Sequence, residues 1–260
     1  MKLFTQTYKM GHQEVIFCSD ESVGLKAIIG IHNTVRGPAL GGCRMWNYSS
    51  EADALTDVLR LSRGMTYKCA AMGMDLGGGK AVIIGDAKKD KSDELFRAFG
   101  RYVEGLGGRY ITAEDVGTNE EDMNYIAEET SHVVGLAGKS GNPSPVTAYG
   151  VFLGVKASVK WQFGRDDMKG KMVAVQGLGN VGFELTRLLV EAGAQVVATD
   201  ISPERIDKAE KTLGIQTVRP DKIFDVACDV FSPCAMGAVI NEDTIEKFNC
   251  KVIAGSANNQ

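Results

Sequence analysis

The chain has 260 residues, with 29 basic against 33 acidic side chains and a formal charge of −4. That mild acidity excludes the basic face with which a nucleic-acid binder neutralises phosphates, and no apolar run approaches the roughly 18–20 residues of a membrane helix. A hydrophobic share of 44% beside 24% charged residues is that of a folded globular protein, not a disordered one.

The opening MKLFTQTYKM lacks the apolar stretch of an export signal. Residues 13–18 and 24–32 predict two paired strands across a turn that holds Asp20, Ser22 and Gly24. Ser49 or Ser50 then opens a helix. Glu51 and Asp53 sit in its first turn, where carboxylates complement the positive helix end, and Leu55, Val58, Leu59 and Leu61 form its apolar face as far as Gly64. A strand follows at 81–84, then a helix opened by Ser92 with Phe96, Phe99, Val103 and Leu106 inward. Residues 109–112 and 132–134 predict strands on either side of a short acidic helix capped by Asn119.

Gly, Ser and Pro concentrate at 135–145, which predicts a domain boundary, with a first domain over 1–142 and a second over 143–260. The segment to 163 is helical, with Pro145 in its first turn. Strands at 172–176 and 195–200 alternate with helices through 190 and over 203–213, and 230–231 and 251–255 are further strand candidates. Such alternation predicts an α/β fold with a parallel sheet. The cysteines (Cys18, Cys43, Cys69, Cys228, Cys234, Cys250) contain no C-x-x-C pair, and His12, His32 and His132 are dispersed. Neither a disulfide framework nor a metal site is expected, and reduced thiols predict a cytoplasmic protein.

QGLGNVG supplies G-x-G-x-x-G at Gly177, Gly179 and Gly182, directly after an apolar strand and at the start of a helix. Asp200 closes the next strand, close to the roughly 20 residues at which a carboxylate meets the adenosine ribose. Gly177 allows the tight turn, Gly179 lets backbone N–H groups approach the pyrophosphate, and Gly182 allows close helix–strand packing. Leu178, Asn180, Val181 and Phe183 complete the candidate loop, whose positive helix end attracts phosphates. Asp200 repels a 2′-phosphate, which favours NAD over NADP, and the nearby Arg205 softens that preference. The alternative is a glycine turn with no ligand.

DLGGGKAVIIGD (75–86) suggests a phosphate loop, but Met74 stands where the first glycine belongs, Ala81 replaces the Ser/Thr, and the segment leads into a strand. Two readings stay open: backbone brought close to a small ligand with the Lys80 amine aimed at it, or a glycine turn with a solvated lysine. Lys68 is by itself a surface lysine at a helix end. Asp115 follows a strand and suits either a site carboxylate or a cap.

A series of stretches resembles the amino-acid dehydrogenase family of glutamate, leucine, phenylalanine and valine enzymes: GPALGGCRM (37–45), LSRGMTYKCA (61–70), DLGGGKAVIIGD, RYITAEDVGT (109–118), GNPSPVTAYGV (141–151), VAVQGLGNVG (173–182) and KVIAGSANNQ (251–260). They run in family order and look most like the leucine-specific branch. The resemblance implies two α/β domains: a substrate-binding and oligomerisation domain over 1–142, and a Rossmann-type NAD-binding domain over 143–260 that is incomplete relative to the family. It implies a homo-oligomer that converts an L-amino acid, water and NAD+ reversibly into a 2-oxo acid, ammonium and NADH.

By the same resemblance Lys68 binds the substrate carboxylate, Lys80 is the base that activates water, and Asp115 shuttles protons at the substrate nitrogen. Gly42 and the Gly77 carbonyl orient the amino acid. Thr147, Asn180, Asp200, Ala235 and Asn258 fall at cofactor contacts. A lysine serves as a base when burial beside a second cation lowers its pKa towards roughly 7–8, and Lys68 is the expected second cation. Leu40 stands where glutamate-specific members carry a lysine, and Ala113 where the phenylalanine branch tends to carry glycine. Both favour leucine, valine and isoleucine. One methyl group discriminates by only about 1–3 kcal/mol, so phenylalanine is the second candidate. The competing class is a non-catalytic NAD- or amino-acid-binding module, for which the Lys68, Lys80 and Asp115 set has no use.

Overall fold

In the computed structural model, which describes residues 3–136 and 143–258, the chain divides into two units, Met1–Asn142 and Pro143–Gln260. Much of the Gly/Ser/Pro segment at 135–145 lies outside the described residues. Among the described residues no helix is long and apolar enough to cross a membrane.

The first unit opens with a helix the sequence did not predict, α1 (Leu3–Met10), followed by the antiparallel pair β1 (Glu14–Asp20) and β2 (Leu25–Asn33). Next come β3 (Ala39–Leu40), β4 (Cys43–Trp46), α2 (Glu51–Ala71), β5 (Gly77–Ile84), α3 (Asp93–Glu104), β6 (Tyr110–Ile111) and α4 (Glu120–Ala127). The sheet runs β1-β2-β5-β3-β6, with β4 also on β5. β3 pairs with Gly77 and Gly78 and β4 with residues 81–84, so the two short strands share one edge of β5 end to end. Ser50, Ser92 and Asn119 each accept a backbone N–H from the first turn of α2, α3 and α4, as the sequence implies.

Two of the boundaries that differ from the sequence reading shape the site. β5 begins at Gly77, not Ala81, so the three glycines and Lys80 are strand interior rather than loop. Alternation along β5 turns Gly79, Ala81 and Ile83 towards the core under α3 and α4, and Gly78, Lys80 and Val82 towards α2. A Cβ at Gly78 would lie 2.1 Å from the Thr66 nitrogen, so α2 rests directly on strand backbone. α2 itself continues past Gly64, whose cost in a helix is only about 1 kcal/mol. It stops at Gly73, which has a φ of 67° and donates its N–H to the Ala70 carbonyl. The extra turns carry Thr66 and Lys68. Of the strand expected at 132–134, only a single bridge between Val133 and Thr112 forms.

The second unit contains α5 (Ser144–Phe163), β7 (Met172–Gln176), α6 (Asn180–Glu191), β8 (Gln195–Thr199), α7 (Pro203–Leu213), β9 (Gln216–Thr217), β10 (Val230–Pro233) and β11 (Val252–Ile253). All pairings in the sheet β11-β10-β7-β8-β9 are parallel. Val173 and Val175 of β7 face the core beneath α5 and α6, while Ala174 faces the opposite cluster of Ile223 and Phe231. Burial on both sides explains the unbroken apolar run. The chain moves outward from β7 through β8 to β9, then returns to the other flank of β7 as β10. That reversal is the switch point at which doubly wound sheets bind ligands.

Packing gives opposite expectations for two glycines. A Cβ on Gly79 would meet the Tyr110 ring at 2.7 Å, whereas one on Gly150, in α5, meets nothing within 4 Å. Denaturant unfolding should show Gly79→Ala less stable by about 1–3 kcal/mol and Gly150→Ala more stable by about 0.5–1 kcal/mol. Equal effects would contradict this packing.

Candidate active site

Lys80 is 4% exposed on β5, and its Nζ lies 2.8 Å from Asp115 Oδ1. Asp115 belongs to the loop after β6. The Ala113 carbonyl accepts from Cys43 N at 2.8 Å, the Val116 carbonyl accepts from Met45 N at 3.0 Å, and Asp115 N donates to Thr118 Oγ1 at 2.9 Å. The loop is thereby fastened along β4. Gly42 makes that approach possible, because a Cβ there would stand 2.9 Å from Asp115 Cβ. Asp115 Oδ2 accepts from Arg44 Nε at 2.8 Å, and Arg44 Nη1 reaches Asp57 Oδ2 on α2, also at 2.8 Å. Tyr48 donates its hydroxyl to the same Asp57 oxygen at 2.7 Å.

Two cations and two carboxylates therefore balance in a largely buried row, the condition under which buried charges are tolerable. Burial opposes ionisation of Asp115, but Lys80 and Arg44 outweigh it and hold the carboxyl well below the usual carboxylate range. Arg44 is likewise kept charged: burial lowers its pKa, and Asp115 and Asp57 more than restore it. An ionised carboxylate with one oxygen on a lysine ammonium can exchange protons with a bound amine.

The remaining sequence candidates of this unit lie on β3, on β5, in the loop before Asp115 and on α2. Gly77 opens β5, and Leu40 of β3 pairs with Gly78 beside it. Ala113 is half-buried two residues before Asp115. Lys68 is exposed on the last turn of α2, two residues from the Thr66 contact with Gly78, and makes no ion pair among the described residues. It is available for an anionic ligand. The charge that meets the Lys80 amine is the Asp115 carboxylate, and the second cation of the row is Arg44, not the expected Lys68. Arg44, Asp57 and Tyr48 were not picked out from the sequence. The signal was an arginine within the otherwise apolar strand CRMW.

In the second unit the glycine loop bridges β7 and α6 at the switch point. Gly177, at a φ of 99°, packs against the Cys234–Ala235 peptide that follows β10. A Cβ on Gly182 would strike the Gly177 carbonyl at 2.0 Å, whereas at Gly179 the nearest heavy atom is Arg205 Nη1 at 3.9 Å. α6 has no side-chain cap and no acidic residue in its first turn, unlike α2, α3 and α4. Open space above Gly179 and uncapped N–H groups at Asn180 and beyond fit a dinucleotide phosphate. Leu178, Val181 and Phe183 pack into the core, so only their backbone serves the loop.

Asp200 follows β8, its Oδ2 accepting from Leu178 N at 2.7 Å and its Oδ1 from Ser202 N at 2.8 Å. Spare lone pairs remain on both oxygens. Arg205 Nη1 lies 3.6 Å from Oδ2. Ala235 is exposed beside Gly177, Thr147 is exposed in the first turn of α5, and Asn258 is exposed beyond β11.

Residues 12–132 match the Glu/Leu/Phe/Val dehydrogenase dimerisation domain, and residues 138–203 match the glutamate/leucine/phenylalanine/valine dehydrogenase domain. The chain is 58% identical to leucine dehydrogenase from Thermoactinomyces intermedius, over 100% of this chain and 72% of that enzyme. It is 51% identical to phenylalanine dehydrogenase from the same organism, over 99% of this chain and 72% of that enzyme. The crystal structure of L-tryptophan dehydrogenase from Nostoc punctiforme aligns with a TM-score of 0.72 at 44% identity, covering 99% of this chain and 74% of that one. With a buried Lys–Asp pair on one sheet, a glycine loop at the switch point of the other, and these relatives along its whole length, the chain belongs to the glutamate/leucine/phenylalanine/valine dehydrogenase family.

Proposed function

We propose that this chain catalyses the reversible, NAD-dependent oxidative deamination of a branched-chain L-amino acid (leucine, valine or isoleucine) to its 2-oxo acid and ammonium. The observation that carries this reading is the buried Lys80–Asp115 pair at 2.8 Å. Supporting it, identity falls from the leucine through the phenylalanine to the tryptophan enzyme. The dinucleotide, when bound, accepts the hydrogen and electron pair that leave Cα. Gly177, Gly179, Gly182 and the first N–H groups of α6 hold its phosphates, with Asp200 at the ribose and Thr147, Ala235 and Asn258 around it.

Lys68 pairs with the substrate carboxylate, and Gly42 and the Gly77 carbonyl orient the amino group. Asp115, ionised throughout the working range, takes a proton from the substrate ammonium so that the nitrogen lone pair can assist loss of hydride. Lys80, once its ammonium proton has been released to solvent, takes a proton from the water that adds to the imine carbon. Asp115 returns its proton to the nitrogen, and as the carbon–nitrogen bond breaks the hydroxyl becomes the 2-oxo group and its proton leaves with the ammonia as ammonium. Leu40 and Ala113 line the side-chain pocket with apolar surface. Assembly into a homo-oligomer belongs to this reading: β1 is an edge strand, and Phe4, Tyr8 and Phe17 are exposed around it. So does a cytoplasmic setting, in which the six free cysteines stay reduced.

Absorbance at 340 nm with NAD+ tests the reaction directly. Leucine should be oxidised with a kcat/KM about tenfold or more above that for phenylalanine, and the reverse order would move the assignment to phenylalanine. Lys80→Ala should lower kcat by about 100- to 10,000-fold and leave NADH binding, followed by fluorescence, within about twofold. Lys68→Ala should act chiefly on KM for leucine, raising it by about 10- to 100-fold for a lost charge-assisted bond. Turnover retained in Lys80→Ala would overturn its role.

A further inference from the structure

We propose that Arg44, anchored by Asp57 and Tyr48, is the positioning residue that divides the Asp115 carboxylate and holds it in the orientation needed for proton exchange. The inference rests on the reading of Asp115 given above and extends it to residues that do not touch substrate.

Arg44 is buried inside β4, opposite Val82 of β5, at a position where an aliphatic side chain would pack without the desolvation penalty of a charge. Its guanidinium is used in two directions: Nε meets Asp115 Oδ2 and Nη1 meets Asp57 Oδ2, each at 2.8 Å. Asp57 is itself fixed by the Tyr48 hydroxyl at 2.7 Å. The guanidinium plane is thus set from α2 and passes its orientation to the carboxylate. A lysine cannot reproduce this, because a single ammonium lacks two donors in a fixed fork.

The geometric consequence lies at Asp115. Oδ1 belongs to Lys80 and Oδ2 to Arg44, donors carried by two different strands. Without Arg44 the carboxylate is free to turn both oxygens onto Lys80, and a closed pair of that kind removes the acceptor from the substrate nitrogen. The backbone beneath is held by Thr118 Oγ1, which accepts from Asp115 N and reaches the Cys43 carbonyl at 2.8 Å, so the loop is pinned to β4 immediately beside Arg44. The other titratable groups within electrostatic range of Asp115 are the Cys43 thiol on β4, the Tyr110 hydroxyl on β6, Tyr48 and the adjacent Glu114. Burial pushes the first two upward, so both are neutral beside it. Among the described residues, Lys80 and Arg44 are the cations at hydrogen-bond distance from Asp115.

Arg44→Lys keeps the charge and removes the fork, whereas Arg44→Gln removes both. In the full chain, Arg44→Lys should lower kcat for leucine about 100-fold, the scale of a small misplacement of a reacting group, with KM within about threefold of wild type. Arg44→Gln should let the Asp115 carboxyl, followed by carbon-13 NMR and assigned by its loss in Asp115→Asn, titrate at a higher pH than in wild type. A folded Arg44→Lys with wild-type kcat would show that charge alone suffices and would overturn the proposal. Where Arg44→Lys does not fold, Asp57→Asn decides, with kcat about tenfold lower expected and an unchanged kcat contradicting it. A wild-type chain that oxidises no amino acid would sink the proposed function instead, while an Asp115 titration unmoved in Arg44→Gln would sink the clamp.

Discussion

One carboxylate shared by two cations organises the first unit. Asp115 has Lys80 on one oxygen and Arg44 on the other, each at 2.8 Å, in surroundings that exclude most water. An ion so placed survives only if its partners are fixed, and much of the surrounding backbone meets that condition. β3 and β4 divide one edge of β5 between them, which sets Arg44 and Lys80 on neighbouring strands. The loop carrying Asp115 bonds to β4 at Ala113 and Val116, on both sides of the carboxylate. Asp57 then ties the cluster to α2, the helix whose last turn carries Lys68.

The glycines follow from the same constraint. Gly78 admits the end of α2 onto the strand, and Gly42 admits the Asp115 loop onto β4. In neither place is the residue a flexible joint; it is an absent side chain that lets two backbones meet. The second unit uses glycine similarly. Gly182 lets α6 close on the loop, while Gly179, of the three loop glycines, keeps open space above it. Tight packing at Gly177 and Gly182 beside open space over uncapped helix N–H groups at Gly179 is the arrangement a phosphate requires.

What was legible in the sequence was local. Serine and asparagine caps marked the starts of α2, α3 and α4, since a cap and the turn it serves are adjacent in sequence. The parallel sheet of the second unit was equally plain, because strands buried on both faces leave continuous apolar runs. The misses concern contacts between distant residues. Glycine before Lys80 suggested a loop, and only the packing of Thr66 and Tyr110 around it makes it strand. Gly64 suggested a helix end because propensity cannot register the contacts that carry α2 onward to Gly73. Arg44 passed unnoticed for the same reason: its partners lie on α2 and in the loop after β6, and no local pattern links them. The glycines before Lys80 and the strand before Asp115 left both as open candidates, and family resemblance gave Lys68, Lys80 and Asp115 their roles.

A crystal structure of the chain with leucine bound tests the shared Asp115 carboxylate most directly. The leucine carboxylate should lie on Lys68 Nζ and its amino nitrogen within hydrogen-bond distance of Asp115, with Arg44 still holding Asp115 Oδ2. Leucine bound away from β5, or bound there with its nitrogen turned from Asp115, would contradict this arrangement.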